Sequence, residues 1–277
     1  MIQLPNHIQP TPSELSQLAT WQADITGDFP TQSARAKLEF KRRNRKSNRV
    51  FKEVKKSLTL MCPGARRCVY CEDSVADEVE HIAPKDLFPE LVFVWDNYVY
   101  ACGNCNGPKN NKFAVFRSDT GALQWINSPH WPGGTKPPPG SQVLINPRKE
   151  DPLTFALLDL KSTFQFVPLP GTDPHVQLRY DYTYNEVLRL NHEEREFLRE
   201  AREEAYGDYK ARMVEYDKQK RQGANPAKLN KLIAGVRKKG HPTVWREMQR
   251  WHNNGWLSAA DTDLNDLFVL NPESLTW

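Results

Sequence analysis

A chain of 277 residues and 32.0 kDa, 39% hydrophobic and 26% charged, can bury most of its unfolded surface without disulfides, so neither a disordered chain nor a disulfide-dependent miniature fold is expected. Its longest apolar run, Leu91-Val92-Phe93-Val94-Trp95, ends at Asp96, far short of the ~18 residues of a membrane span. The formal charge of +4 is unevenly spread: residues 35–56 carry eleven basic and two acidic side chains, a local +9, which leaves −5 on the other 255 residues and excludes a uniformly basic surface.

The first ten residues, MIQLPNHIQP, have neither a basic start nor an apolar stretch. No signal peptide is read there, and a soluble, cytoplasmic protein with no membrane partner is expected. Leu15, Leu18 and Trp21 can form one short helical face. Residues 34–60 read as a single basic helix, because helix formers dominate and Gly and Pro are absent. From Cys62 to Phe116 the pattern changes to short apolar runs broken by turns. Seven prolines and a Gly-Gly pair between 117 and 152 predict a partly extended surface connection. Strands are expected at Leu153–Leu160 and Thr163–Leu169. Helices follow, one from Asn191 with Phe197, Ala201, Ala205 and Tyr209 repeating every four residues as far as Gly223, one from Asn225-Pro226 to about Lys239, and one from Pro242 to about Trp251. The division expected is an N-terminal segment with a basic arm (1–60), a dense core (61–116), a connection with short strands (117–185) and a helical region (186–277).

Four of the five cysteines form two Cys-x-x-Cys pairs, Cys68/Cys71 and Cys102/Cys105. Each pair sets two thiolates on one tight turn, and four thiolates satisfy the tetrahedral preference of a structural Zn²⁺ with no open position. Cys62 is left over and reads as a small buried hydrophobe. The thirty residues between the pairs hold Glu80-His81. On a strand, adjacent residues point to opposite faces, so the carboxylate can meet a metal while the imidazole meets a nucleophilic water. A further oxygen ligand at a helix start beyond the second pair would complete a hard-cation site of the kind Mg²⁺ prefers. These are the parts a single-metal phosphodiesterase needs.

At these residues the sequence resembles the HNH endonucleases, whose ββα-metal fold carries a four-cysteine zinc staple. The residues that match are Glu80-His81, Asn97, and Asn106 directly after the last cysteine; the nine-residue step from Asn97 to Asn106 and Lys109 three residues on also match. Glu80 stands where that family more often has Asp. The resemblance implies that His81 is the general base, that Glu80 and Asn106 hold Mg²⁺ or Mn²⁺, and that Asn97 holds the loop and orients His81; Asn110 is the alternative ligand if the helix register differs. Tyr70-Cys71-Glu72, Pro84-Lys85, Trp95-x-Asn97 and Phe113, with weaker similarity over 146–205, resemble the HNH subunit of Septu-type and retron-linked anti-phage systems, where it is paired with an ATPase.

The fold class expected is therefore α+β, an HNH core stapled by zinc between a basic helix and a mainly helical C-terminal region. The function expected is hydrolysis of phosphodiester bonds in DNA, in partnership with an ATPase. Lys109 and Lys112 are expected on the helix facing the scissile phosphate, and Arg42, Arg43, Arg45 and Lys46 on the arm against the nucleic-acid backbone. That arm can instead dock an acidic partner or be a solvated helix face. Two other readings compete for the whole: a nucleic-acid-binding scaffold whose core has lost activity, and a nuclease acting on RNA. Glu72 and Glu78 are spare carboxylates, or else hydrogen-bond to a ligand from behind. Residues 235–240 resemble half of a phosphate-binding loop, but His241 stands where Lys is required, so nucleotide hydrolysis is not expected. Trp245, Trp251 and Trp256 mark a candidate docking surface or a core.

Overall fold

The fold is described from a computed structural model over residues 1–126, 131–132 and 134–277; Pro129 and Gly133 of the proline-rich stretch lie outside the described residues. Helix α1 (Pro12–Ala23) buries Leu18 and Trp21. The basic arm is two helices rather than one, α2 (Phe29–Arg43) and α3 (Arg49–Met61). The break is made by asparagines. Asn44 leaves helical geometry at the end of α2, and the Asn48 side chain accepts the Phe51 N–H at 3.2 Å to start α3. Asn competes with the helix for backbone hydrogen bonds, so a helix can end without Gly or Pro. Within α3, Phe51, Val54, Leu58 and Met61 line one buried face.

Strands β1 (Glu78–His81) and β2 (Tyr98–Ala101) pair antiparallel, with Glu80 opposite Val99 and His81 opposite Tyr98. Helix α4 (Gly103–Lys109) follows directly. A two-stranded ribbon is marginal by itself; here α3 packs against β2 and α4 against β1. The end of the expected core and the partly extended connection after it share a three-stranded sheet, in which β3 (Ala114–Arg117) lies between β4 (Leu123–Trp125) and β5 (Gly140–Gln142). Gly140 is required there, because a β-carbon would collide with the carbonyl oxygen of Phe116. Both expected strands appear in shorter form, β6 (Ala156–Leu158) pairing with β7 (Phe166–Pro168).

Helix α5 (Pro174–Tyr180) runs into a π-helical turn ending at Val187. After it come α6 (Phe197–Arg221), α7 (Pro226–Arg237), α8 (Pro242–Asn253), α9 (Leu257–Ala260) and α10 (Thr262–Leu270). One hydrophobic core unites residues as distant as Leu18, Phe51, Tyr98, Ile145, Tyr184 and Trp245. Buried polar ties cross the same span. Glu72, beside the first cysteine pair, accepts from the N–H and hydroxyl of Thr243 at 3.1 and 2.7 Å and so fixes the start of α8. Arg148 stacks 4.7 Å from the Trp95 ring centre and donates to the Tyr98 carbonyl and to Asp96 at 3.2 and 2.9 Å. Of the three tryptophans considered for docking, Trp245 and Trp251 belong to the core and Trp256 is 41% exposed. Among the described residues no helix is long and apolar enough to cross a membrane.

Candidate active site and cysteine centre

The first cysteine pair sits on a tight turn in which the Glu72 N–H returns to the Cys68 carbonyl at 2.8 Å, and Val69 donates to Tyr100 of β2 at 3.2 Å. The second pair flanks the first turn of α4, with Cys102 in the capping position. This brings the sulfurs of Cys68, Cys71, Cys102 and Cys105 within 4.8 Å of one another, all four buried, with Cys71 and Cys102 at 3.9 Å. Tetrahedral Zn–S bonds of ~2.3 Å place sulfurs about 3.8 Å apart, so the cluster has the donors and the size for a structural metal ion. Sequence reading gave no signal for an additional member of this centre, Arg195, whose guanidinium donates to Cys105 Sγ at 3.3 Å and to the Leu188 carbonyl at 2.7 Å. Cys62 lies outside the cluster; it donates to the Leu58 carbonyl at 3.3 Å, and burial pushes its thiol up to about 12.

Alternation along β1 directs Glu78 and Glu80 toward α4 and turns Val79 and His81 the other way. Glu80, His81 and Asn106 all line one polar pocket of about 370 Å³, together with Glu78, Lys85 and Asn110. The His81 ring is buried, 4.4 Å from the Phe40 ring and 5.1 Å from that of Tyr98. Its Nε2 lies 3.0 Å from the Val92 carbonyl oxygen. A proton on Nε2 donated there leaves Nδ1 as the acceptor. Burial, reinforced by the charge of Lys85, lowers the pKa of His81 to about 3, so its ring is neutral at pH 7.

Asn97 holds the loop that follows β1. It accepts the Ala83 N–H at 2.8 Å and donates to the carbonyls of Ala83 and Leu91 at 2.9 and 3.2 Å. Asn106 does not cap α4, a position Cys102 occupies; its amide nitrogen instead donates to Glu78 at 2.6 Å. Asn110 ends the helix with a φ of +39° and a ψ of −121°, a positive-φ conformation uncommon for residues other than Gly.

Two of the expected phosphate contacts are placed differently. Lys109 is completely buried, ion-paired with Glu80 and donating to the His81 carbonyl at 2.8 Å, so it braces α4 against β1 and offers no surface to a phosphate. Lys112 lies past the end of α4 and donates to the Glu186 carbonyl at 3.0 Å. On the arm, Arg45 and Lys46 are exposed. Arg42 is exposed but paired with Glu39 at 2.7 Å. Arg43 turns inward, its guanidinium 4.4 Å from the Trp21 ring centre and 2.8 Å from Glu39, because an aromatic face beside a carboxylate holds a guanidinium on two sides.

Despite its ion pair, the Glu80 carboxyl is held above the usual carboxylate range by burial, which outweighs the pull of Lys109. Its Oε2 is buried and has no hydrogen-bond partner. A buried carboxylate oxygen without a donor is costly unless something outside the protein completes it. Carboxylate and amide oxygens are the donors hard divalent cations take, so the pocket fits such an ion. Glu78, a spare carboxylate for which a hydrogen bond to a metal ligand is the other reading from sequence, makes such a bond to Asn106; it is two residues before Glu80 and therefore on the same strand face.

Residues 68–112 match the family model described as HNH endonuclease. The Septu protein PtuB of Bacillus thuringiensis is 40% identical over 67 residues, a match covering 22% of this chain and 26% of that protein, so the similarity spans about a quarter of the relative's length. No solved structure matches the chain significantly. The chain therefore carries an HNH endonuclease-family domain at residues 68–112, built around a buried cluster of four cysteines.

Proposed function

We propose that this protein is a metal-dependent endonuclease that hydrolyses phosphodiester bonds in DNA, and that it serves as the nuclease effector of a bacterial anti-phage complex with an ATPase partner. The observation that carries the reading is the meeting of Glu80, His81 and Asn106 in one pocket of the family-matched ββα segment, with one Glu80 oxygen left without a partner. Cys68, Cys71, Cys102 and Cys105 would hold a structural Zn²⁺. Glu80 and Asn106 would hold Mg²⁺ or Mn²⁺, which when bound offsets negative charge developing on the phosphate and the leaving oxygen.

The remaining chemistry belongs to the side chains. His81 accepts a proton from the attacking water at Nδ1 while Val92 fixes its ring through Nε2. A base already neutral at pH 7 needs no prior deprotonation, and an anionic phosphodiester brought beside it favours the charged imidazolium and raises its basicity. Asn97 keeps the loop after His81 closed. Lys109 holds β1 and α4 together and does not touch substrate.

Lys37 of the arm stands beside this pocket. Phe40 of α2 packs on His81, and Lys37 of α2 pairs at 2.9 Å with Asp86, which bonds Asn111 of the pocket wall. A phosphate backbone lying along α2 would thus be led to the site. The partnership with an ATPase is supported by the similarity to a Septu protein over the nuclease segment. The substrate is tested by incubating the zinc-loaded protein, with and without an ATPase encoded beside it, with DNA and RNA of matched sequence in Mg²⁺. Cleavage of DNA is expected; cleavage of RNA with DNA left intact would overturn the DNA assignment.

A further inference from the structure

Beyond the two ligands proposed above, the pocket holds a carboxylate without an assigned task. Glu78 is exposed at the pocket wall and lies on the same strand face as Glu80, separated by one residue. Its Oε2 takes the Asn106 amide nitrogen at 2.6 Å. This bond leaves the carbonyl oxygen of Asn106 as the atom available to a cation.

Charge around the pocket shows what is missing without it. Glu80 is compensated by the buried ammonium of Lys109, and Lys85 adds a second positive charge to the wall. With Glu78 removed, two cations would face one carboxylate, a poor environment for a divalent metal ion. With Glu78 present the charges balance, and the buried Oε2 of Glu80 still lacks a partner. An acidic residue on a protein surface is ordinarily just solvated. This one is fixed by hydrogen bonding to a ligand amide and borders an unpartnered buried oxygen.

We infer that Glu78 is the third group of the cation site, orienting Asn106 through its amide nitrogen and supplying the negative charge that Glu80 loses to Lys109. The inference rests on the metal-dependent reading of the pocket and adds a residue to it. Because Glu78 is exposed, replacing it leaves the buried ion pair and the cysteine cluster intact.

The test is titration of the zinc-loaded protein with Mn²⁺ alone, followed by electron paramagnetic resonance and calorimetry. Glu78→Ala and Glu78→Gln are compared with wild type and with Glu90→Gln, which removes a charge at an exposed residue outside the pocket. Both Glu78 variants are expected to bind Mn²⁺ about 10- to 100-fold more weakly, the range for groups that complete or orient a ligand set. Glu90→Gln is expected to bind as wild type, and zinc content to be unchanged throughout. Wild-type affinity in Glu78→Ala would overturn the inference, as would a wild-type protein that takes up no Mn²⁺. A protein that binds Mn²⁺ through Glu78 yet cuts no nucleic acid would support the inference while removing the nuclease reading.

Discussion

Lys109 shows how a residue can match a motif and still be placed differently from expectation. Its step of three residues after Asn106 is visible in the sequence, and exposed lysines near a nuclease site commonly meet phosphate. What decides its position is the packing of α4 on β1, which leaves no exposed surface and places Glu80 and the His81 carbonyl at its ammonium. Removing one partner of a buried pair leaves the other charge uncompensated. Lys109→Met is therefore expected to destabilise the fold by about 3–5 kcal/mol in urea unfolding; wild-type stability would contradict the bracing role. Glu78 is the converse case, since two-residue alternation from Glu80 made its face readable from sequence alone. The Cys-x-x-Cys spacing, likewise, was enough to bring out the cluster, because two short turns need only one contact to converge.

At the scale of elements, local signals located the later helices except for the start of α6, which lies at Phe197 and not at Asn191, because the Asn191 side chain accepts the N–H of Phe166 and donates to its carbonyl instead of capping a helix. Asn225-Pro226 starts α7, Pro242 starts α8, and Gly223 follows the end of α6. The arm forms two helices where one is expected, because its break depends on Asn44 and Asn48, residues with milder preferences than Gly or Pro. Contacts between elements distant in sequence left no local mark. Arg195, ninety residues beyond Cys105, donates to that sulfur and so ties the segment before α6 to the cysteine centre. Four thiolates around Zn²⁺ carry a net charge of −2, which a guanidinium donor lessens. Arg195→Met is expected to lose zinc to an excess of chelator about 10- to 100-fold more readily than wild type, with unchanged circular dichroism before the chelator is added. Equal zinc retention would show that the contact does not support the centre.

Taken as a whole, the molecule divides its charge unevenly, with the cations of residues 35–56 on α2, α3 and the turn between them and a mildly acidic remainder. One core joins the arm, the ββα unit and the C-terminal helices, so the segment matched at residues 68–112 is held by the rest of the chain as well as by its cysteines. The central claim is that the pocket lined by Glu80, His81 and Asn106 cuts DNA through His81. It is tested most directly by nicking of supercoiled plasmid in Mg²⁺, comparing wild type with His81→Ala and measuring zinc content and thermal unfolding in parallel. The account predicts nicking by wild type and a loss of at least about 100-fold in His81→Ala, as for removal of a general base, with zinc retained. Nicking by His81→Ala at the wild-type rate would contradict it.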